Sequence, residues 1–133
     1  MNNCIVRKIL ILFFIFVGSL VYAQIGESNW KCVAPNNYVD FDTVVGLEDI
    51  YGFSFLLKAF NKGQYEPVNG KKILYTLAQY EINCPRHSYK IGIIDSYDEE
   101  GYFVSGDYNK YAEFQPIVEG TAVDVIANKL CRP

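Results

Sequence analysis

The chain has 133 residues, half of them hydrophobic, and a formal net charge of −3 from 12 basic and 15 acidic residues. Nucleic acids and anionic membranes attract proteins with concentrated positive charge, so this balance argues against both as partners.

The first 23 residues have the layout of a secretory signal peptide. Arg7 and Lys8 precede the apolar run ILILFFIFVGSLVY, and Val21 and Ala23 occupy the positions that signal peptidase reads. The alternative is a membrane anchor, but the run is short for a span of ~20 residues. We therefore expect cleavage before Gln24.

Cleavage would leave one domain over residues 24–133. The leader holds two of the 12 basic residues and no acidic one, so this domain has 10 basic and 15 acidic residues and a net charge of −5. No cysteine follows the cleavage site directly, which argues against a lipid anchor. We expect a periplasmic or secreted domain with no stable membrane insertion.

Most of this domain alternates apolar and polar residues, as β-strands do. Strands are predicted in NWKCVA, NYVDFDTVV, YGFSFLLKAF, KKILYTLAQYEINC, HSYKIGIIDSY and GYFVSG. The DEEG segment between the last two predicts a hairpin turn, with Gly101 where positive φ is tolerated. The pattern predicts an antiparallel sheet of about five to six strands, with one face covered and one largely wet.

The period changes near the C-terminus. Thr121 is a credible N-cap, with Asp124 three residues later. At 100° per residue, one half of the helix surface is apolar and is formed by Ala122, Val123, Ile126, Ala127, Leu130 and Cys131. Val125 is the exception, because it is apolar but falls on the other half. A helix of about three turns needs tertiary packing. The predicted fold class is therefore α+β, with this helix on one face of the sheet.

Three cysteines remain after cleavage, and exported domains normally oxidise theirs in pairs. Cys84 ends the longest predicted strand on its core side, and Cys131 lies in the last helical turn. A Cys84–Cys131 disulfide would tether the helix to the sheet, and we favour it. The competing pairing is Cys32–Cys131 with Cys84 as the free thiol. In the favoured pairing, Cys32 is the cysteine without a partner.

The sequence gives little support for catalysis or for a metal site. His87 is the only histidine, and the CPRH segment alone cannot complete a tetrahedral zinc shell. It is expected to face solvent from a loop. The acidic segment DSYDEEG is expected to be a solvated hairpin tip, and Asp40 and Asp42 to share a wet strand face. No enzyme activity and no cofactor are predicted.

Tyrosines crowd around the predicted hairpin and offer a possible binding surface: Tyr89, Tyr97, Tyr102, Tyr108 and Tyr111. Tyrosine supplies a large contact area with a polar tip and is enriched in protein interfaces. The alternative is that these rings fill the outer face of a twisted sheet.

The ordered set NWKCV, YVDFDTV, YEINC with Arg86 close behind, a tyrosine-rich hairpin and FQPIVEGTAVDVIANKLC resembles the surface-adhesin protein E family of Gram-negative bacteria. The resemblance extends from about Trp30 to Cys131. It implies a sheet whose concave face is covered by a helix tethered through a disulfide, for which Cys84 and Cys131 match the family's pair. This chain lacks the family's lipidation cysteine and has Phe114 where a tryptophan is common.

The resemblance also implies a function. The family is associated with binding of vitronectin, laminin and plasminogen, with haem binding and with homodimers. The leading hypothesis is therefore an exported, non-enzymatic, adhesin-like module that binds a protein through its sheet and hairpin surface. The alternative is a periplasmic structural or accessory domain without a role in host adhesion.

Overall fold

The computed structural model describes residues 29–63 and 66–132, and the predicted leader with its cleavage site lies outside them. Among the described residues are eight β-strands and one α-helix: β1 (Trp30–Ala34), β2 (Asn37–Asp40), β3 (Val45–Gly46), β4 (Gly52–Phe60), β5 (Ile73–Asn83), β6 (Ser88–Asp98), β7 (Phe103–Tyr108), β8 (Gln115–Pro116) and α1 (Ala122–Leu130). Within these ranges no helix has the length and apolar character that crossing a membrane requires.

The strands form one antiparallel sheet in the order β1-β2-β4-β5-β6-β7. β3 pairs with β4 and β8 pairs with β6 outside this path. From β4 to β7, strands that follow one another in the sequence also lie side by side in the sheet, as is common for antiparallel sheets. The predicted α+β class and antiparallel sheet are confirmed, with two short strands more than the sequence indicates.

The hydrophobic core lies between α1 and the sheet face that it covers, which we call the helix-covered face. The sheet contributes side chains at most 3% exposed: Val39, Phe55, Leu57 and Ile82. α1 contributes Val123, Ile126 and Ala127 to the same cluster. Alternation places these sheet residues on one face because successive side chains of a strand point to opposite sides.

The helix begins as the sequence predicts, and it ends at Leu130, so that Cys131 is its C-cap and not part of its last turn. Thr121 Oγ1 accepts a hydrogen bond from the Asp124 backbone N–H at 3.3 Å, and Asp124 Oδ2 accepts one from the Gly120 N–H at 2.9 Å. These bonds satisfy backbone donors that a helix start leaves unpaired. Val125, the apolar exception, is 43% exposed on the outer side of α1.

A disulfide joins Cys84 to Cys131, with 5.5 Å between the two Cα atoms. It confirms the favoured pairing and rules out Cys32–Cys131. The bridge ties the residue after β5 to the C-cap of α1, so the helix is held at its far end as well as along its apolar side. The expectation that Cys32 is left over is wrong, because Cys32 is not a free thiol in this structure.

The turn between β5 and β6 positions Cys84 for this bridge. The Asn83 side chain accepts the Arg86 N–H at 3.2 Å, and the His87 N–H donates to the Cys84 carbonyl at 3.2 Å. His87 has φ of 46° at the end of the turn. The Cys84 N–H also donates to the Tyr51 carbonyl at 3.0 Å. The cysteine backbone is therefore fixed on both sides.

The expectation that Asp40 and Asp42 share one wet strand face is wrong. Asp40 is the last residue of β2, is 5% exposed and caps a 3-10 helix over Phe41–Thr43. Its Oδ1 accepts the Asp42 N–H at 3.0 Å. The carboxylate satisfies a donor at the helix start, and this local bond ends the predicted strand.

Asp98 organises the turn between β6 and β7. Its Oδ1 accepts the backbone N–H groups of Glu100 and Tyr102, each at 2.9 Å, and Oδ2 lies 3.6 Å from Lys71 Nζ. Gly101, with φ of 86°, takes the left-handed position of this tight turn. The Tyr102 N–H, then the Glu100 N–H and Lys71, lower the Asp98 pKa below its usual value, although burial opposes them.

Asp98→Ala is expected to destabilise the domain at neutral pH because two turn N–H groups lose their acceptor. The lowered pKa means that this contribution is present above about pH 4 and is lost as the pH falls through the folded-state pKa. Thermal unfolding at pH 7, 4 and 2.5 measures it. Glu99→Ala, which removes only an exposed contact to Lys72, is the control and should change little. A gap between wild type and Asp98→Ala that is constant across this range would contradict the assignment.

Candidate binding surface

The sheet has a second face, opposite the helix-covered one, which no described element covers. We call it the open face. Five strands contribute rings to a chain of contacts on this face, which we call the aromatic ladder: Tyr38, Phe60, Tyr75, Tyr97 and Phe103. The face predicted to be largely wet is therefore lined at this end of the sheet by aromatic rings that contact one another.

The ladder is a continuous chain of ring contacts across β2, β4, β5, β6 and β7. Ring centres are 5.7 Å apart for Tyr38 and Phe60 and 5.8 Å for Phe60 and Tyr75. Tyr75 stacks on Tyr97 at 4.9 Å, and Tyr97 meets Phe103 edge to face at 6.0 Å. Each such pair adds about 0.5–1.5 kcal/mol beyond burial. Each ring of the ladder is therefore packed against at least one neighbouring ring.

Lys58 lies at the centre of the first half of the ladder. Its Nζ is 4.3 Å from the ring centre of Tyr75, 5.2 Å from that of Phe60 and 5.7 Å from that of Trp30. Ammonium groups within ~6 Å of a ring centre are attracted by its negative face. The Lys58 ammonium is therefore packed among aromatic rings of the open face.

The other end of the open face is polar. Lys90 Nζ lies 3.0 Å from Glu81 Oε2 and 5.0 Å from the ring centre of Phe114. Gln79 donates to Ser54 Oγ at 3.2 Å. Charged and amide groups therefore bond to one another at this end of the face.

Tyr75 has a pKa above its usual value, because burial within the ladder disfavours the phenolate and the neighbouring Tyr97 and Asp98 add to the effect. The unfolded chain then releases this proton first, at about pH 10. We expect the free energy of unfolding to fall as the pH rises above about 10. Urea unfolding between pH 9 and 11 should show a smaller fall for Tyr75→Phe. An identical fall in both proteins would contradict the assignment.

The five tyrosines predicted as a binding surface separate into groups. Tyr97 is part of the ladder, and Tyr108 shares its face opposite Ile93. Tyr102 and Tyr111 lie in the connections that flank β7, and both are more than 60% exposed. Tyr89 lies on the helix-covered face, where it stacks on Tyr80 at 5.9 Å and packs against the core.

Sequence reasoning missed most of the ladder and Lys58. The missed residues are Trp30, Tyr38, Lys58, Phe60, Tyr75 and Phe103. Period-two alternation could have assigned Tyr75 and Phe60 to the face opposite the core within their own strands. Only the register between strands shows which rings contact one another. Three register shifts make that register unreadable from spacing: two lie between β5 and β6, at Ile73/Tyr75 and at Gln79/Tyr80, and one lies between β6 and β7, at Ser96/Tyr97.

The polar residues considered for chemistry are engaged in structure. His87 Nε2 lies 3.5 Å from Asp124 Oδ1, beside the start of α1, with its side chain 53% exposed as expected for a loop histidine. Residues 29–63 and 66–132 contain no group of three histidine, cysteine or acidic side chains placed to hold a metal ion.

The fold has a known counterpart. The chain is similar to protein E of Haemophilus influenzae, whose crystal form II aligns with a TM-score of 0.59 and 15% identity over 86% of this chain and 95% of that one. No protein family and no curated protein matches the sequence. At this identity the similarity shows a shared fold, which supports the sequence resemblance at that level.

Proposed function

We propose that this domain is an exported, non-enzymatic binding module whose aromatic ladder and Lys58 contact a protein partner. The observation that carries the proposal is the ladder itself, five interlocked rings on a face that no described element covers. Protein interfaces are enriched in aromatic residues, and their hot spots are few and central. Rings that pack against one another have less side-chain freedom to lose on binding.

The fold shared with protein E supports a binding role and suggests the first partners to test. By the family resemblance these are vitronectin, laminin and plasminogen. The proposed location is the periplasm or the medium, since the predicted leader is not followed by a cysteine for lipid attachment. A periplasmic accessory role is the competing proposal, and cell fractionation separates the two.

The test uses residues 24–133 with the Cys84–Cys131 disulfide formed, immobilised and exposed to each of the three proteins and to periplasmic extract. Lys58→Gln and Tyr75→Leu are expected to weaken binding about tenfold each, as centrally placed interface residues do. Val125→Ala, on the outer side of α1, is the control and should bind like wild type.

Two results would remove the proposal: no binding by a folded domain to any of these samples, or equal binding by all variants. Binding only to components of the periplasmic extract would favour the accessory role over adhesion. Sedimentation of the wild type decides whether the domain is a homodimer.

A further inference from the structure

β7 is the last strand on its side of the sheet, and no strand of the described chain pairs with its outer edge. The Asn109 N–H donates to the Gly92 carbonyl at 2.8 Å, directly after β7. Bonding direction alternates along antiparallel strands, so the backbones of Asp107 and Ser105 point to β6. The backbone groups of Gly106 and Tyr108 consequently point outward, as a template for another strand.

One side of this edge continues the aromatic ladder. Phe103 and Tyr108 are 58% and 66% exposed and flank Gly106. A side chain at 106 would have its Cβ 2.8 Å from Asp95 Oδ1 and 3.2 Å from the Phe103 ring. Glycine at this position therefore keeps the edge backbone uncovered between two exposed rings.

The other side of the edge is acidic with an aliphatic floor. Asp107 and Glu113 line a cavity of about 270 Å³ with Ile91 and Ile94, and Ile94 is 37% exposed. Lys and Arg lay their methylene stems on apolar surface and keep the charged head at its rim. An aliphatic floor with two carboxylates fits such a side chain.

We propose that β7 receives an extended segment of a partner polypeptide as an added strand, in which apolar residues alternate with Lys or Arg. The apolar side chains extend the ladder beside Phe103 and Tyr108, and the basic ones face Asp107 and Glu113. Backbone bonds to the edge give affinity, and the two sides give specificity. This inference rests on the proposed function, because it specifies how a protein partner is held.

The test uses an end-blocked peptide, Lys-Phe-Lys-Val-Lys-Phe-Lys, a shuffled peptide with its four lysines in one block, and an analogue with Glu in place of Lys. Fluorescence anisotropy should show binding of the alternating peptide at least tenfold tighter than of the other two. N-methylation of its backbone along one edge should abolish binding. Equal affinity for the alternating and shuffled peptides would overturn the proposal.

Variants at Tyr108 distinguish the contribution of the backbone N–H to peptide binding from that of the side chain. Tyr108→Pro removes the outward N–H, and Tyr108→Ala removes only the ring; proline is tolerated at an edge. Tyr108→Pro should bind the alternating peptide at least tenfold more weakly than Tyr108→Ala, with thermal unfolding confirming that both fold. Equal binding by the two folded variants would refute the added strand, and if Tyr108→Pro does not fold the N-methylated peptide decides.

The double variant Asp107→Asn, Glu113→Gln should bind the basic peptide about tenfold more weakly than wild type. Its binding of an analogue with Thr in place of Lys should be unchanged. Unchanged binding of the basic peptide would contradict the charge assignment. A wild-type dimer that Tyr108→Pro makes monomeric would assign the edge to a second copy and overturn the partner proposed here. If the β7 variants did not change peptide binding but Lys58→Gln and Tyr75→Leu still weakened binding of the protein partner, the added strand would be refuted and the proposed function would stand.

Discussion

Replacing Cys84 and Cys131 together by alanine is expected to lower the free energy of unfolding by about 4 kcal/mol. The bridge spans a sequence separation of 47 residues, and by the chain-entropy account closing a loop of that size restricts the unfolded chain by roughly this amount. Single domains are stable by only ~5–15 kcal/mol. Loss of this one bond therefore removes a large part of the total.

The expected structural consequence is release of α1. Nine residues do not form a stable helix in water without packing, so a weakened tether should appear as lost helical signal before the sheet melts. Urea unfolding followed by far-UV circular dichroism measures both. Removing both cysteines avoids a leftover reactive thiol at this site. A loss below about 1 kcal/mol, or an unchanged helical signal, would contradict the role of the bridge.

Ile126→Ala is expected to cost about 2–5 kcal/mol of stability, the range for large-to-small changes in a packed core. Ile126 is fully buried and lies in the cluster with Phe55 and Ile82. The cavity left by its side chain is enclosed by the sheet on one side and by α1 on the other. Neighbours can collapse into it only if the helix shifts.

Val125→Ala is the matched control for this prediction. Val125 precedes Ile126 in the same helix but is 43% exposed, so its truncation should stay within about 0.5 kcal/mol of wild type. Denaturant unfolding of both variants measures the difference. Equal destabilisation by the two substitutions would mean that α1 does not present this side to the sheet.

Helix placement was predictable from sequence because its signals are local. Thr121 and Asp124 mark the start, and the apolar half identifies the buried side. The disulfide was predictable because Cys131 lies on the buried side of the helix and Cys84 on the core side of the strand before it. The family resemblance implies the same pair. Each inference needed only spacing within one element and the chemistry of exported cysteines.

The open face was not predictable in the same way. Tyr75 and Tyr97 stack because β5 and β6 pair in a register that two shifts alter, and no local pattern encodes those shifts. Lys58 reads as an ordinary polar strand residue until its neighbours on β1 and β5 are known. Asp40 was misplaced for a related reason, since a side-chain bond to the backbone overrode the strand pattern.

The account depends on the sheet having one face closed by α1 and one that binds. The most direct measurement places a photo-crosslinking benzoylphenylalanine at Phe103 in one protein and at Val125 in another. Each is then irradiated with vitronectin, laminin, plasminogen or periplasmic extract. The account predicts a covalent adduct from position 103 and none from position 125. Adducts from position 125 with none from position 103 would contradict it.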